Sequence, residues 1–310
     1  MQEEFPGPPT IVGGGPYAVP GAAPVPGSFI DVPCSMLARD LAAVCGERWV
    51  RRREGYLLTA PKGSVAVVEG EDADDVVAVL RAAGPKSLQL FAASLASWST
   101  RREVEVAELG AVLGAGEGRR WRWSREDLLR LARALARVRF VSGPAARGAG
   151  ASEPGPPIRL EERDGPRIAP SPAWVREFAR RDRRIAKLPG SFLRLHAKND
   201  RYTILLGWHL AIMLRVNRKH GFCYRVRLGT LLEGAGIPVP ARNVGRFLAA
   251  IYRALEALPG IRAQGPAHRL YAADRLLSSK FAFAPARDLL LAYLGQAPEG
   301  AIGTALGSSG

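Results

Sequence analysis

Residues 224–258 read YRVRLGTLLEGAGIPVPARNVGRFLAAIYRALEAL, and no other stretch restricts the fold as tightly. Val226 and Leu228 alternate with Arg225 and Arg227, the two-residue period of a half-buried strand. The alternation runs straight into two helical patterns that only GAGIPVP separates. Glycine and proline at that density stop a helix and turn the chain, so the stretch predicts a strand, a short helix, a tight turn and a longer helix. An apolar helix, RYTILLGWHLAIMLRVNR, precedes it, and IRAQGPAHRLYAA alternates on both sides of QGP after it.

The same order occurs earlier in the chain. SLQLFAASLASWS supplies a helix, EVEVAEL an alternation, and SREDLLRLARALARV a long helix whose start is marked by Ser124 with Asp127 three residues on. Val104, Val106, Leu109 and Gly114 fall on Val226, Leu228, Leu231 and Gly236 at an offset of 122 residues. Leu128, Leu131, Leu135 and Val138 fall on Leu248, Ile251, Leu255 and Leu258 at an offset of 120. Each copy reads helix, strand, helix, turn, helix, hairpin, which is the order of a winged helix-turn-helix. IRAQGPAHRLYAA would be the wing of the second copy, and VRFV with IRLEE the wing of the first.

The fold class expected is therefore α+β, mostly helical, with two tandem winged-helix domains and flexible termini. Residues 1–33 read as a disordered Pro/Gly-rich tail, because 13 of the 26 residues from Phe5 to Ile30 are Gly or Pro. Residues 34–168 form the N-terminal winged-helix domain with an α/β extension. In that extension SMLARDLAAVC reads as a helix, RWVRRREGYLLTAPKGSVAVVEG as two or three strands, and EDADDVVAVLRAAG as a helix stopped by Gly84. Residues 169–285 form the C-terminal DNA-binding domain, and 286–310 a helix and flexible tail. Residues 142–172, with 12 Gly or Pro, read as a linker or long loop in which IRLEE is a strand.

Charge is divided unevenly. The chain has 44 Lys+Arg against 29 Asp+Glu, net +15, but residues 1–84 hold 7 basic and 11 acidic side chains. The basic field belongs to the remainder, and such a field favours polyanions, nucleic acid first. Arginine outnumbers lysine and suits phosphates and guanine edges, although GC-rich codons give the same bias. Three Asn and four Gln hint at a thermophile.

On the second long helix Arg242, Arg246 and Arg253 fall within about 40° of one another, opposite Val244, Leu248, Ile251, Leu255 and Leu258. Asn243 either reads adenine or caps the helix. Arg262, His268 and Arg269 in the wing would hold the backbone, and Arg225 and Arg227 on the strand are further candidate DNA-binding residues. On the first long helix Arg130, Arg133 and Arg137 share a face, diluted by Glu126. Arg119, Arg120 and Arg122 lie around Trp121 and Trp123, as phosphate clamps beside a stacking aromatic or as charges over tryptophans packed under the helix start. REFARRDRRIAK is a further basic cluster, a backbone track or a solvated helix.

Signs of catalysis are few. There is no GxxxxGK[ST] loop, and GAGEGRR follows a helix where a dinucleotide fingerprint follows a strand. IVGG at 11–14 has no serine-protease context. His196, His209, His220 and His268 are scattered, Cys34, Cys45 and Cys223 lack ligand spacing, and EDADD is the acidic first turn of a helix. The expectation is a non-enzyme without cofactor or metal, with reduced thiols, cytoplasmic and associated with nucleoid or plasmid. YTILLGWHLAIML is too short to span a bilayer, so no membrane partner is expected.

Residues 198–258, KNDRYTILLGWHLAIMLRVNR...YRVRLGTLLEGAGIP...RFLAAIYRALEAL, resemble the plasmid and phage replication initiators built from two winged-helix domains, with their Tyr-containing apolar helix, basic strand, LLE-AGI and closing helix. The resemblance implies double-stranded DNA as partner, bound at repeated origin sites, with local opening and recruitment of a host initiator and helicase. It also implies homodimers that serve autorepression. Residues 34–84 do not match that pattern. A winged-helix transcriptional repressor is the near alternative. A nickase using Tyr202 or Tyr224 and a protein-binding scaffold are the more distant ones.

Overall fold

The computed structural model describes residues 29–34, 36–45, 49–59, 65–98, 103–106, 109, 113, 123–141, 155–162, 165–172, 174–175, 185–267 and 272–295. They form a mixed α and β chain with four small antiparallel sheets among these residues.

The chain enters through β1 (Phe29–Pro33) and α1 (Met36–Val44). β1 belongs to the stretch expected as tail. Its alternation directs Ile30 and Val32 inward, 3% and 1% exposed, and it pairs antiparallel with β9 (Ile185–Pro189). Burying two β-branched side chains on one strand face outweighs the local glycine and proline content. β9 in turn takes up the end of REFARRDRRIAK, where Lys187 pairs with Asp31; residues 176–184 of that cluster lie outside the described residues.

The acidic extension folds as three strands and a helix: β2 (Val50–Arg52), β3 (Gly55–Thr59), β4 (Val65–Glu69) and α2 (Ala73–Ala83). Gly84 ends α2 at φ 53°, its N–H bonded to the Leu80 carbonyl. The sheet is completed by β6 (Arg139–Val141), giving the order β2-β3-β4-β6. VRFV therefore serves the extension and not a wing. Phe140 is 1% exposed and pairs with Ala66 on the free edge of β4, although IRLEE lies much nearer in the sequence.

The repeat is visible in the two remaining sheets. The first copy comprises α3 (Lys86–Trp98), β5 (Val104–Glu105), α4 (Arg125–Arg137), β7 (Ile158–Glu161) and β8 (Arg167–Pro170). The second comprises α5 (Arg201–Val216), β10 (Tyr224–Arg227), α6 (Leu228–Gly234), α7 (Val244–Glu256), β11 (Ile261–Gln264) and β12 (Lys280–Pro285). The sheet orders are β5-β8-β7 and β10-β12-β11, so in both the last strand lies between the other two. Hydrogen bonds repeat as well: Val106 N–H donates to Pro166, just before β8, and Leu228 N–H to Ser279, just before β12. Leu113 to Leu109 and Ala235 to Leu231 are a second pair at the offset of 122.

The return strands differ from the expected hairpins. In the second copy the strand after IRAQ is KFAFAP, reached through α8 (Ala273–Ser278), and residues 268–271 of the expected wing lie outside the described residues. In the first copy IRLE pairs with RIAP across the expected 168/169 boundary. α9 (Arg287–Leu294) follows β12, and Tyr293 anchors it by donating to the Ala211 carbonyl at 2.7 Å.

The two copies share a core. Phe91 of α3 meets Trp174 at 4.6 Å and Trp208 of α5 at 6.1 Å between ring centroids. Gln89 donates to the carbonyls of Phe192 and Leu195, and Trp208 Nε1 to Ala38 at 2.6 Å. A buried amide and indole so satisfied avoid the cost of an unpaired polar group.

Candidate nucleic-acid interface

α7 is built as an amphipathic rod. Leu248, Ile251, Leu255 and Leu258 are 6% exposed or less, and Phe247, Tyr252 and Ala254 widen the buried side. Tyr252 donates to the Pro266 carbonyl at 2.8 Å, which fixes α7 to the segment after β11, and burial pushes its phenol up to about 12. The turn leading in is a Schellman motif: Ile237 N–H donates to Leu232, Gly236 N–H to Glu233, and Gly236 takes φ 71°. Ile237, 2% exposed, pins that turn to the core.

Against this rigid side stand Arg242, Arg246 and Arg253, all exposed. Arg253 Nε makes a long 3.4 Å contact with the Ala249 carbonyl one turn back. Among the described residues no carboxylate pairs with any of the three. Asn243 adopts a left-handed φ of 57° at the helix start, and its side chain forms no capping hydrogen bond. The exposed amide is therefore not consumed by the cap that sequence alone left open for it.

The equivalent face of α4 is arranged differently. Ser124 caps the helix by accepting from Asp127 N–H at 3.0 Å, and Leu128, Leu131, Leu135 and Val138 are buried as their counterparts on α7 are. Arg137, however, bonds Asp72 at 2.6 Å and the Glu69 carbonyl at 3.1 Å, while Arg133 bonds Glu162 at 2.8 Å. The guanidinium beside Glu162 holds that carboxyl below its usual range, and the carboxylate raises Arg133 further. Arg130 lines a groove of about 630 Å³ between α2 and α4, with Asp72, Asp75 and Trp123 also in its walls. Two of the three arginines thus already hold protein carboxylates. The pairs are exposed and screened by solvent, so they add little to folding, but they occupy the donors a phosphate would need.

Arg225 and Arg227 lie exposed on β10 and Arg262 exposed on β11. His268, Arg269, Arg119, Arg120, Arg122 and Trp121 lie outside the described residues. Trp123 is half-buried under the start of α4, with the Lys86 ammonium 5.0 Å above its ring, an arrangement of packing and cation–π contact. Lys280 escapes sequence reasoning, because the alternation around QGP points to a return strand that ends before it.

The two tyrosines with nucleophile potential are built into packing. Tyr202 meets Phe247 edge-on at 5.6 Å; Tyr224 lies between His209 and Phe283, and burial raises its pKa, partly offset by Arg39. Among the described residues no group of three or more His, Cys, Asp or Glu side chains could hold a metal ion, and no helix is long and apolar enough to cross a membrane. No family model, curated protein or solved structure matches the chain.

Proposed function

We propose that the chain is a sequence-specific double-stranded DNA-binding protein that initiates replication at repeated origin sites, with α7 as the helix that enters the major groove. The observation that carries the reading is the arginine face of α7, exposed and without carboxylate partners among the described residues, on a helix whose other side is locked into the core. A reading helix needs that combination of rigid placement and uncommitted donors.

Support for a winged helix in each copy comes from element order and from the central position of the last strand in both sheets. The initiator role rests on the resemblance of residues 198–258, and with it come DNA opening driven by binding energy, recruitment of a host initiator and helicase, and residence on plasmid or nucleoid. Burial raises the pKa of Tyr224, the reverse of what an activated nucleophile requires, which argues against Tyr224 as the nucleophile of a nickase.

Arg246→Ala and Arg242→Ala test the assignment. Each should weaken binding to the target site by about 1–3 kcal/mol if the side chain pairs with a guanine, without lowering the thermal midpoint. Unchanged affinity in both would remove α7 from the interface. Footprints on one inverted repeat, instead of several direct repeats, would make the protein a repressor.

A further inference from the structure

The outer face of the β10-β12-β11 sheet carries cations that the fold does not use. In register, Arg225 lies opposite Ala282, Arg227 opposite Lys280, Arg262 opposite Ala284 and Gln264 opposite Ala282. Val226, Phe281 and Phe283 point to the other face and into the core. Arg225, Arg227, Arg262 and Lys280 are exposed, and among the described residues none of them pairs with a carboxylate. Arg227 and Lys280 stand directly across from each other, and like charges so placed cost stability.

The first copy supplies an internal comparison. Glu105, at the position equivalent to Arg227, lies opposite Arg167, which lies opposite Glu161 on its other side. Arg159 bonds Glu103 at 2.7 Å and Glu161 at 3.2 Å. Complementary pairs are therefore readily accommodated at these positions, so the fold does not demand the like-charged pair of the second copy. Ala282 and Ala284 give the central strand a low floor between two polar rows, which lie about 10 Å apart at ordinary strand spacing. None of the three strands places an aromatic side chain on this face, so bases have nothing there to stack on.

We infer that this outer face is a second nucleic-acid surface, one that holds the phosphate backbone and does not read sequence. It is distinct from α7, which packs against the inner face of the same sheet through Tyr252 on Phe281, ring centroids 5.8 Å apart. It takes from the proposed function only the choice of DNA as the polyanion.

The experiment measures binding of the full chain to a mixed-sequence duplex lacking the target site, and to a single strand of equal length, across a salt series. Arg225→Gln/Arg227→Gln/Arg262→Gln/Lys280→Gln should weaken both at least tenfold at low salt. It should also flatten the log–log salt slope on the duplex by about 3 to 4, near 0.9 for each phosphate that is no longer neutralised. The smaller variant Arg227→Gln/Lys280→Gln should show about half the slope change while its thermal midpoint stays level or rises, since a like-charge pair is removed. An unchanged slope in the four-residue variant overturns the inference and leaves the α7 reading standing. Absence of any DNA binding by the wild type overturns both.

Discussion

Replacing Trp208 by Ala measures how firmly the two copies are fused. The indole is 1% exposed, meets Phe91 of the first copy edge-on at 6.1 Å and Phe192 at 6.3 Å, and donates Nε1–H to Ala38 at 2.6 Å. Trp208→Ala removes these contacts and opens a cavity where three segments meet, destabilising the fold by about 3–5 kcal/mol. Trp208→Phe keeps a ring and removes only the donor and some volume, for about 1–2 kcal/mol. With a urea slope near 3 kcal/mol/M the Ala variant should move the unfolding midpoint down by about 1–1.7 M. Amide exchange should show reduced protection in both α3 and α5, since the side chain belongs to α5 and its edge partner to α3. A destabilisation below about 1 kcal/mol, or reduced protection confined to α5, would refute the shared core.

Other consequences follow from particular contacts. A Cβ at Gly234 would lie 2.7 Å from Cε1 of His209, itself 2% exposed, so Gly234→Ala should destabilise by about 1–3 kcal/mol in thermal melts. Burial pushes the Cys45 thiol up to about 12, so at pH 8 a maleimide should label it only after unfolding. Because that folded-state value is raised, the associated stability is complete below the ordinary thiol value of 9.0 and is lost as pH climbs toward 12, which an alkaline series of melts should show. Glu162 has the opposite sign: its pKa is lowered by Arg133, so its contribution is present above the ordinary carboxylate value of 4.5 and fades as pH falls through the folded value. Glu162→Gln should shrink the acid limb of the stability profile.

What the sequence discloses and what it hides follow physical lines. Val104, Leu109, Leu128 and Leu135, with Leu228, Leu231, Leu248 and Leu255, stand out by period and spacing, and all are buried. Helix ends marked by Ser124 and Gly84 are legible because caps are local chemistry. Strand pairing is not legible, because a strand's partner is set by which edge is free in three dimensions. Arg139–Val141 joins β4, KFAFAP lies beside IRAQ from beyond the stretch expected as the wing, and RIAP lies hidden among prolines. The site divides the same way. The arginine stripes of α4 and α7 are equally visible in the sequence, yet Asp72 and Glu162, distant along the chain, occupy only the first.

The most direct measurement is binding of the purified chain to the DNA flanking its own gene and to unrelated DNA of equal length, each at two salt concentrations. Saturable occupancy of repeated flanking sites that survives the higher salt, and that Arg246→Ala weakens by about 1–3 kcal/mol, is the expected result. Equal and equally salt-labile binding to both DNAs, unaffected by Arg246→Ala, would contradict sequence reading by α7.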